Sequence, residues 1–510
     1  MAVPMNHSGH ALSRRIAEML ALQPDSLAIE YDDRWYTLGE LSELSGSIRS
    51  FVLAHPAGHR TVGILLRNRP EHVAALLGVL LGGGTVVVLN PARGDERTRA
   101  DITALRLPLI IGAPDDLAAL VVPSPGTATV AISGMAAEPH AFPGRRVLDG
   151  PTHPGVAVRM LTSGTTGPPK RVDITYDMLA HSVLGPEPDR APLPARPRQG
   201  VAIVNAPMVH IGGVFRVLQC VVEARPFVLL PRFELERWAR AVRTHRPKAV
   251  SLVPAALRTV LHSDLRPEDL TGIQVVTSGT APLSAADADA FHEKFGIPVL
   301  TSYAATEFGG GVAGWTLADH RRYWNAKRGS VGRATGGSRL RVVDEDGTVL
   351  DADRPGLLEV APGQLGPTAE WIRTTDLARI DADGFLWIMG RADQAIIRGG
   401  FKIMPDDVRG ALESHPAVLG AAVVSRPDGR LGETPVAMVE LRSGHSAEPG
   451  DLIEHLRHRL APYEIPTDIA LVTAIPRTPS GKADLRAVRA HFAPDHPGAT
   501  LNNPPGGLPA

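Results

Sequence analysis

The chain has 510 residues, too many for one typical core, so at least two domains are expected. An apolar content of 44%, a charged content of 21% and a net charge of −1 fit an ordinary globular protein and give no sign of a basic nucleic-acid surface or an anionic-membrane surface. A single cysteine, Cys220, excludes an internal disulfide framework and suits a reducing cytoplasm, and it cannot form the Cys pair of a structural zinc site.

The N-terminal stretch MAVPMNHSGHALSRRIAEML is polar and broken by Pro and Gly, without the apolar centre of a signal peptide. The longest apolar stretch, VAALLGVLLGGGTVVVLNP, is cut by Gly82, Gly83 and Gly84. It reads as a buried helix, a turn and a strand, not a membrane span. Further on, strand-like runs such as TVGILLRN, LPLIIGA, VAIVNAP, FVLLP, AVSLVP, IQVVTSG and IPVLTSYAATE alternate with helical patterns such as LERWARAVRTHR and SAADADAFHEKF. Such alternation predicts α/β layers with largely parallel sheets, in which ligands collect beyond the carboxyl ends of the strands. Three polar motifs fall there: TSGTTG after VAVRML, SGTAPLS after IQVV, and SYAATE after IPVLT.

The texture changes near residue 390. RTTDLARIDADGFLWIMGR reads as short strands and a turn. Beyond it, PDDVRGALESHPAV reads as a helix, LGAAVVSR and TPVAMVELR as strands, DLIEHLRHRLAPYE as a helix, DIALVTAI as a strand and PRTPSGKADL as a loop. This predicts a small α+β domain over 393–492 after a large domain over 1–392, with a disordered Pro/Gly/Asn-rich tail over 493–510.

The loop LTSGTTGPPK offers successive backbone N–H groups and hydroxyls, the makings of a concave anion site, followed by a cation at Lys170. It is not a Walker loop, because two prolines precede the lysine. Taken singly, each polar motif also fits a plainer reading: the loop a solvated turn, Glu307 or Asp376 a turn residue, Lys482 a surface lysine.

Together and in order, LTSGTTGPPK, SGTAPLS, SYAATE, WIRTTDLARIDADGFLWIMGRADQAIIRGGFKI and PRTPSGKADL resemble the motifs of the adenylate-forming superfamily, which includes acyl-CoA synthetases, luciferases and peptide-synthetase adenylation domains. The resemblance runs from about residue 12 to 490. It implies an α/β fold: a large N-terminal domain of layered sheets plus a distorted barrel, and a small mobile α+β C-terminal domain. It implies that Thr162, Ser163, Gly164, Thr165, Thr166, Gly167 and Lys170 hold the β- and γ-phosphates of ATP. Gly279, Thr280 and Ala281 would line the adenine and Tyr303 would stack on it, within the motif Ser302, Tyr303, Ala304. Thr306 would meet the α-phosphate and Glu307 would hold Mg2+. Asp376, helped by Arg391, would take the ribose hydroxyls, and Lys482 would bridge the acid and the α-phosphate. His210 would gate the acid pocket, Gly399 and Gly400 would flank a pantetheine tunnel, and Asp393 would be the hinge.

The implied activity is an ATP-dependent acid–CoA ligase, with ATP, Mg2+, coenzyme A and a carboxylic acid as its small molecules. Loading of an acyl carrier protein, transfer to another acceptor such as an amine, and a non-catalytic nucleotide-binding scaffold are the competing readings. No nucleic-acid partner and no membrane span are expected, and the location implied is cytoplasmic. The sequence departs from the motifs at Ala304 and Thr375, where glycine is usual, and at Gln394, where a second Asp is usual. Residues 210–215, 302–306 and FGGGVAGW are expected to form the acid pocket. Gly309, Gly310 and Gly311 would leave room in it and Trp315 would close its end. These segments show no basic residue awaiting a second carboxylate, so a mainly apolar acid is expected.

Overall fold

The structure is a computed structural model and describes residues 9–55, 60–123, 126–140, 153–162, 170–399, 401–478 and 481–493. Residues 163–169 of the first motif, Gly400 and all of the expected tail but Ala493 lie outside the described residues.

Apolar, β-branched runs make a seven-stranded sheet in the order Ala136–His140, Ala128–Ser133, Leu109–Gly112, Thr61–Leu65, Thr85–Leu89, Val156–Thr162, Lys170–Thr175. Its five central strands are parallel and its two edge strands are antiparallel. Thr61–Leu65 and Thr85–Leu89 are buried at every position, as expected of parallel strands covered on both faces. The predicted helix, turn and strand appear as the buried helix Pro70–Leu81, its glycine turn and Thr85–Leu89. Gly78 lets this helix lie against Leu38–Leu53, because a Cβ there would stand 2.6 Å from Cβ of Ile48. Among the described residues no helix is long and apolar enough to cross a membrane.

A second sheet carries Ala249–Ser251, Val275–Ser278 and Val299–Ala305 in parallel, continued by the antiparallel strands Gly310–Gly314 and Arg333–Ala334. Ala202–Val204, Phe227–Leu229, Leu27–Tyr31 and Arg34–Thr37 form a third. An antiparallel meander follows, of Arg339–Val343, Gly356–Ala361, Ile372–Ile380 and Leu386–Arg391. Cys220 is buried on the helix Ile211–Val222, and burial pushes its thiol up to about 12.

The residues beyond build a separate sheet from Ile396–Arg398, Phe401–Ile403, Val418–Asp428, Gly432–Leu441 and Ile469–Val472. Alternation along Val418–Asp428 serves two cores. Ala421 and Val423 meet Val408, Leu412, Leu452 and Leu456, whereas Ala422 and Val424 meet Val488 and Phe492. This small unit is tied to the large one by a buried ion cluster. Arg258, on the helix Pro254–Leu261, donates through Nε to Asp287 at 2.8 Å and through Nη2 to Glu413 at 2.9 Å. Glu413 also accepts from Nη1 of Arg409 at 2.7 Å. Two guanidinium groups thus share one carboxylate across the boundary between the units, away from bulk water.

Candidate active site

The strand Val299–Ala305 begins fully buried and becomes polar and open from Ser302 onward, so its carboxyl end presents side chains rather than core. A register shift against Gly310–Gly314 falls between Tyr303 and Ala304. Ala304 pairs there with Gly311, which carries no side chain to oppose the methyl at this departure from the motif. The short turn Thr306–Phe308 follows, bringing Glu307 to the same end. The neighbouring strand Val275–Ser278 runs into Gly279, Thr280 and Ala281. A Cβ on Gly279 would stand 2.9 Å from Oγ of Ser302 and 3.3 Å from its carbonyl oxygen, so the two strand ends approach closely there. Thr280 adopts φ +72, a left-handed conformation costly for a β-branched residue and held by its surroundings.

Asp376 sits on Ile372–Ile380 directly opposite Arg391. The Tyr303 hydroxyl donates to Oδ2 of Asp376, and burial, then the Asp376 charge, pushes that phenol well above its ordinary range. Burial also raises the Asp376 carboxyl, against the hydrogen bond from Tyr303 and the charge of Arg391. Oγ1 of Thr374 accepts from the Asp376 backbone N–H at 3.0 Å and donates to the Leu358 carbonyl at 2.9 Å, fixing the carboxylate's backbone. Arg391 donates to Oγ1 of Thr375 at 2.6 Å and to both oxygens of Asp393, at 2.8 and 2.9 Å. The departure at Thr375 therefore supplies the hydroxyl that orients Arg391.

Lys482 comes from the small unit. The Thr478 N–H donates to the Lys482 carbonyl at 2.7 Å, the Gly481 N–H donates to the Thr478 carbonyl at 2.8 Å, and Gly481 takes φ +82. This tight turn rests on the large unit, since a Cβ on Gly481 would stand 3.3 Å from Cγ2 of Val253. The Lys482 ammonium keeps solvent access yet is crowded by protein atoms. Burial lowers its pKa first, Arg391 lowers it further, and Glu307 and Asp376 oppose both. His210, the N-cap of Ile211–Val222, is pushed down to about 4, first by burial and then by Lys482. The five groups therefore converge from separate elements. Nε2 of His210 and Oγ of Ser278 are buried without a hydrogen-bond partner among the described residues, two polar atoms on hand for a bound molecule.

Thr162 and Lys170 face each other as the last pair of the hairpin that carries the first motif. The strand Lys170–Thr175 runs beside the turn Thr306–Phe308, which carries Glu307. Gly399 takes φ +56 in the hairpin of the small unit and donates to the Leu431 carbonyl at 2.8 Å. Trp315 is buried, donating to the Ser330 carbonyl at 2.8 Å and packing against Phe385 and Trp324.

Sequence reasoning passed over Asn68. Buried after the strand Thr61–Leu65, its amide donates to the carbonyls of Ala206 and Leu230, both at 3.0 Å, and its oxygen accepts from the Met208 N–H at 2.8 Å. It pins the approach to His210. A lone amide just past a buried strand was the available signal.

Residues 16–365 match the model of the AMP-binding enzyme family, and 408–482 match that of the AMP-binding enzyme C-terminal domain. The chain is similar to 4-coumarate–CoA ligase 5 of Oryza sativa subsp. japonica, 28% identical over 90% of this chain and 89% of the relative. It is similar to indoleacetate–CoA ligase of Aromatoleum aromaticum, 27% identical over 94% of this chain and 97% of the relative. Its fold is shared by ATP-bound MatB from Rhodopseudomonas palustris, with a TM-score of 0.76 at 24% identity, covering 94% of this chain and 98% of that one.

Proposed function

Because the chain belongs to the AMP-binding enzyme family, we propose that it is an ATP-dependent carboxylic acid–CoA ligase. The convergence of Lys482 with His210, Glu307, Asp376 and Arg391 carries this reading. An acid carboxylate attacks the α-phosphorus of ATP, the bond to the β-phosphate oxygen breaks, and pyrophosphate leaves an acyl-adenylate. The CoA thiolate then attacks the acyl carbon, and AMP leaves as the thioester forms. No protein nucleophile is needed, so catalysis rests on positioning and charge.

Asp376 takes the ribose hydroxyls, and Arg391 orients it. Tyr303 covers the adenine beside Gly279, Thr280 and Ala281, and Ser302 and Ala304 shape the floor. Lys482 sits between the acid and the α-phosphate, where charge accumulates, and Thr306 adds a hydroxyl. The hairpin from Thr162 to Lys170, with Ser163, Gly164, Thr165, Thr166 and Gly167, holds the leaving pyrophosphate. Glu307 is a single carboxylate at the hairpin mouth, a donor set that suits Mg2+ shared with phosphate oxygens. The ion would neutralise their charge. His210, neutral at pH 7, gates the acid. Rotation of the small unit about Asp393 withdraws Lys482 and brings Gly399 and Gly400 to the thiol path. A reducing, cytoplasmic setting fits the lone buried cysteine.

Incubation with ATP, a panel of acids and either CoA or a pantetheine-bearing carrier protein tests the reading by product mass. Acyl-CoA and AMP are expected. Acylation of the carrier alone would move the acceptor from CoA, and no acid-dependent pyrophosphate release would defeat the reading.

A further inference from the structure

Resting on that ligase reading, we infer that Arg216 and Thr277 form an anion-binding end of the acid pocket, so that the preferred acid carries a second anionic group, a carboxylate or a sulfonate, remote from the one that is activated. Arg216 lies one residue beyond the segment from which an apolar acid was expected, on the helix capped by His210. Six residues place its Cα about 9 Å further along the helix axis, and helical side chains lean back over the preceding turn. On that turn stands Gly212, with nothing within 4 Å of where a Cβ would be. The helix thus offers open space at Gly212, with a guanidinium beside it.

The guanidinium is held, but not neutralised. Nη2 donates to Oγ1 of Thr277 at 3.1 Å and Nη1 to Oε1 of Gln219 at 3.2 Å, which leaves further N–H donors of the fork uncommitted. Thr277 belongs to the strand that runs into Gly279, so the contact spans the helix of His210 and the strand of the proposed adenine loop. Among the described residues no carboxylate stands within 4 Å of Arg216. Glu223, whose charge it feels, is already shared between Arg198 at 3.4 Å and Arg225 at 3.2 Å. Burial is the largest influence on Arg216 and pulls it below its usual range. A desolvated cation whose hydrogen-bond partners are neutral oxygens is costly to keep unless a ligand supplies a close counter-charge. A planar fork suits a carboxylate or sulfonate, whose two oxygens it can meet together. The helix geometry sets a span of roughly 5–9 Å between the two acidic groups, which favours a short spacer.

The test uses acids matched in length, one of each set ending in carboxylate, one in sulfonate and one in methyl, offered with ATP and CoA. Wild type, Arg216→Leu, Arg216→Lys and Thr277→Val are compared by pyrophosphate release and CoA-product mass. Wild type should favour an anionic member by about 50-fold in kcat/KM, and the two anionic arms show which group fits. Arg216→Leu should abolish that preference while turning over the methyl acid at least as well as wild type. Arg216→Lys should retain part of it, and Thr277→Val should raise KM for the anionic acid more than it lowers kcat. Methyl-ended acids preferred by wild type, or an equal loss on all acids in Arg216→Leu with the preference kept in Thr277→Val, would overturn the anion subsite and leave the ligase reading standing. No pyrophosphate release with any acid would defeat both.

Discussion

Asp376 and Lys482 meet at one site from two kinds of scaffold. Asp376 is fixed on every side: opposite Arg391 in register, under the Tyr303 hydroxyl, and braced through Thr374 to Leu358. Lys482 belongs to a turn of the small unit in which the Gly481 N–H donates to the Thr478 carbonyl and the Thr478 N–H to the Lys482 carbonyl, and it meets the charges of Arg391, Glu307 and Asp376 across the boundary between the units. On the ligase reading, the proposed nucleotide side of the site is thus preorganised, and the charge proposed to act at the α-phosphate is delivered. A group that must leave between two half-reactions cannot be bonded as firmly as one that stays.

Lys482→Ala tests that contrast most sharply. Acid-dependent pyrophosphate exchange should fall by about 10³-fold, with thiolysis of supplied acyl-adenylate held within about threefold. An equal fall in both would erase the distinction between the two regions. Asp376→Ala should raise KM for ATP by about 10- to 100-fold, the loss of charged hydrogen bonds from a fixed partner. A change confined to kcat would mean that Asp376 does not bind ground-state nucleotide. Glu413→Ala removes the clasp between the units. Adenylation should drop by about tenfold, with thiolysis unchanged or faster, as the docked orientation loses population. Loss of both steps together with a lowered melting temperature would make the cluster purely structural.

A pH series probes the coupling between the halves. His210 is pushed from 6.5 down to about 4 by burial and Lys482. The unfolded chain takes up a proton near pH 6.5 that the folded chain refuses until about pH 4, so stability falls as pH drops through that window. His262, about 4, and His72, about 3, act with the same sign. His210→Asn should flatten part of the acid-side slope of the urea midpoint against pH. An unchanged slope would place His210 in solvent. The smallest effect should come from Thr375→Gly, which frees Arg391 from one hydroxyl and should cost under about threefold in kcat/KM for ATP.

Most of the preorganised half was legible in the sequence, because its polar residues follow directly on buried strands and cluster within a few positions. SYAATE, SGTAPLS and RTTD announce themselves in this way. What escaped depends on distant contacts. Asn68 matters through Met208, Arg258 through Glu413, and Thr375 through Arg391, and no local pattern encodes such pairs. Arg216 escaped because a lone arginine in an amphipathic helix reads as a solvated face until its neighbours are known. The partner of the Trp315 indole, the Ser330 carbonyl, is likewise invisible in the local pattern.

The buried Cys220 has one more implication. An acyl-adenylate is a reactive anhydride held where a thiol is meant to arrive, and a protein thiolate within reach would become the wrong recipient. With its only sulfhydryl pushed up to about 12 and enclosed in a helix packed against the core, the chain offers no competing sulfur and would not acylate itself. The same silence makes it a clean background for spectroscopy. Two cysteines introduced on either side of Asp393 would carry probes alone, and the proposed rotation of the small unit would be read as a change in their distance.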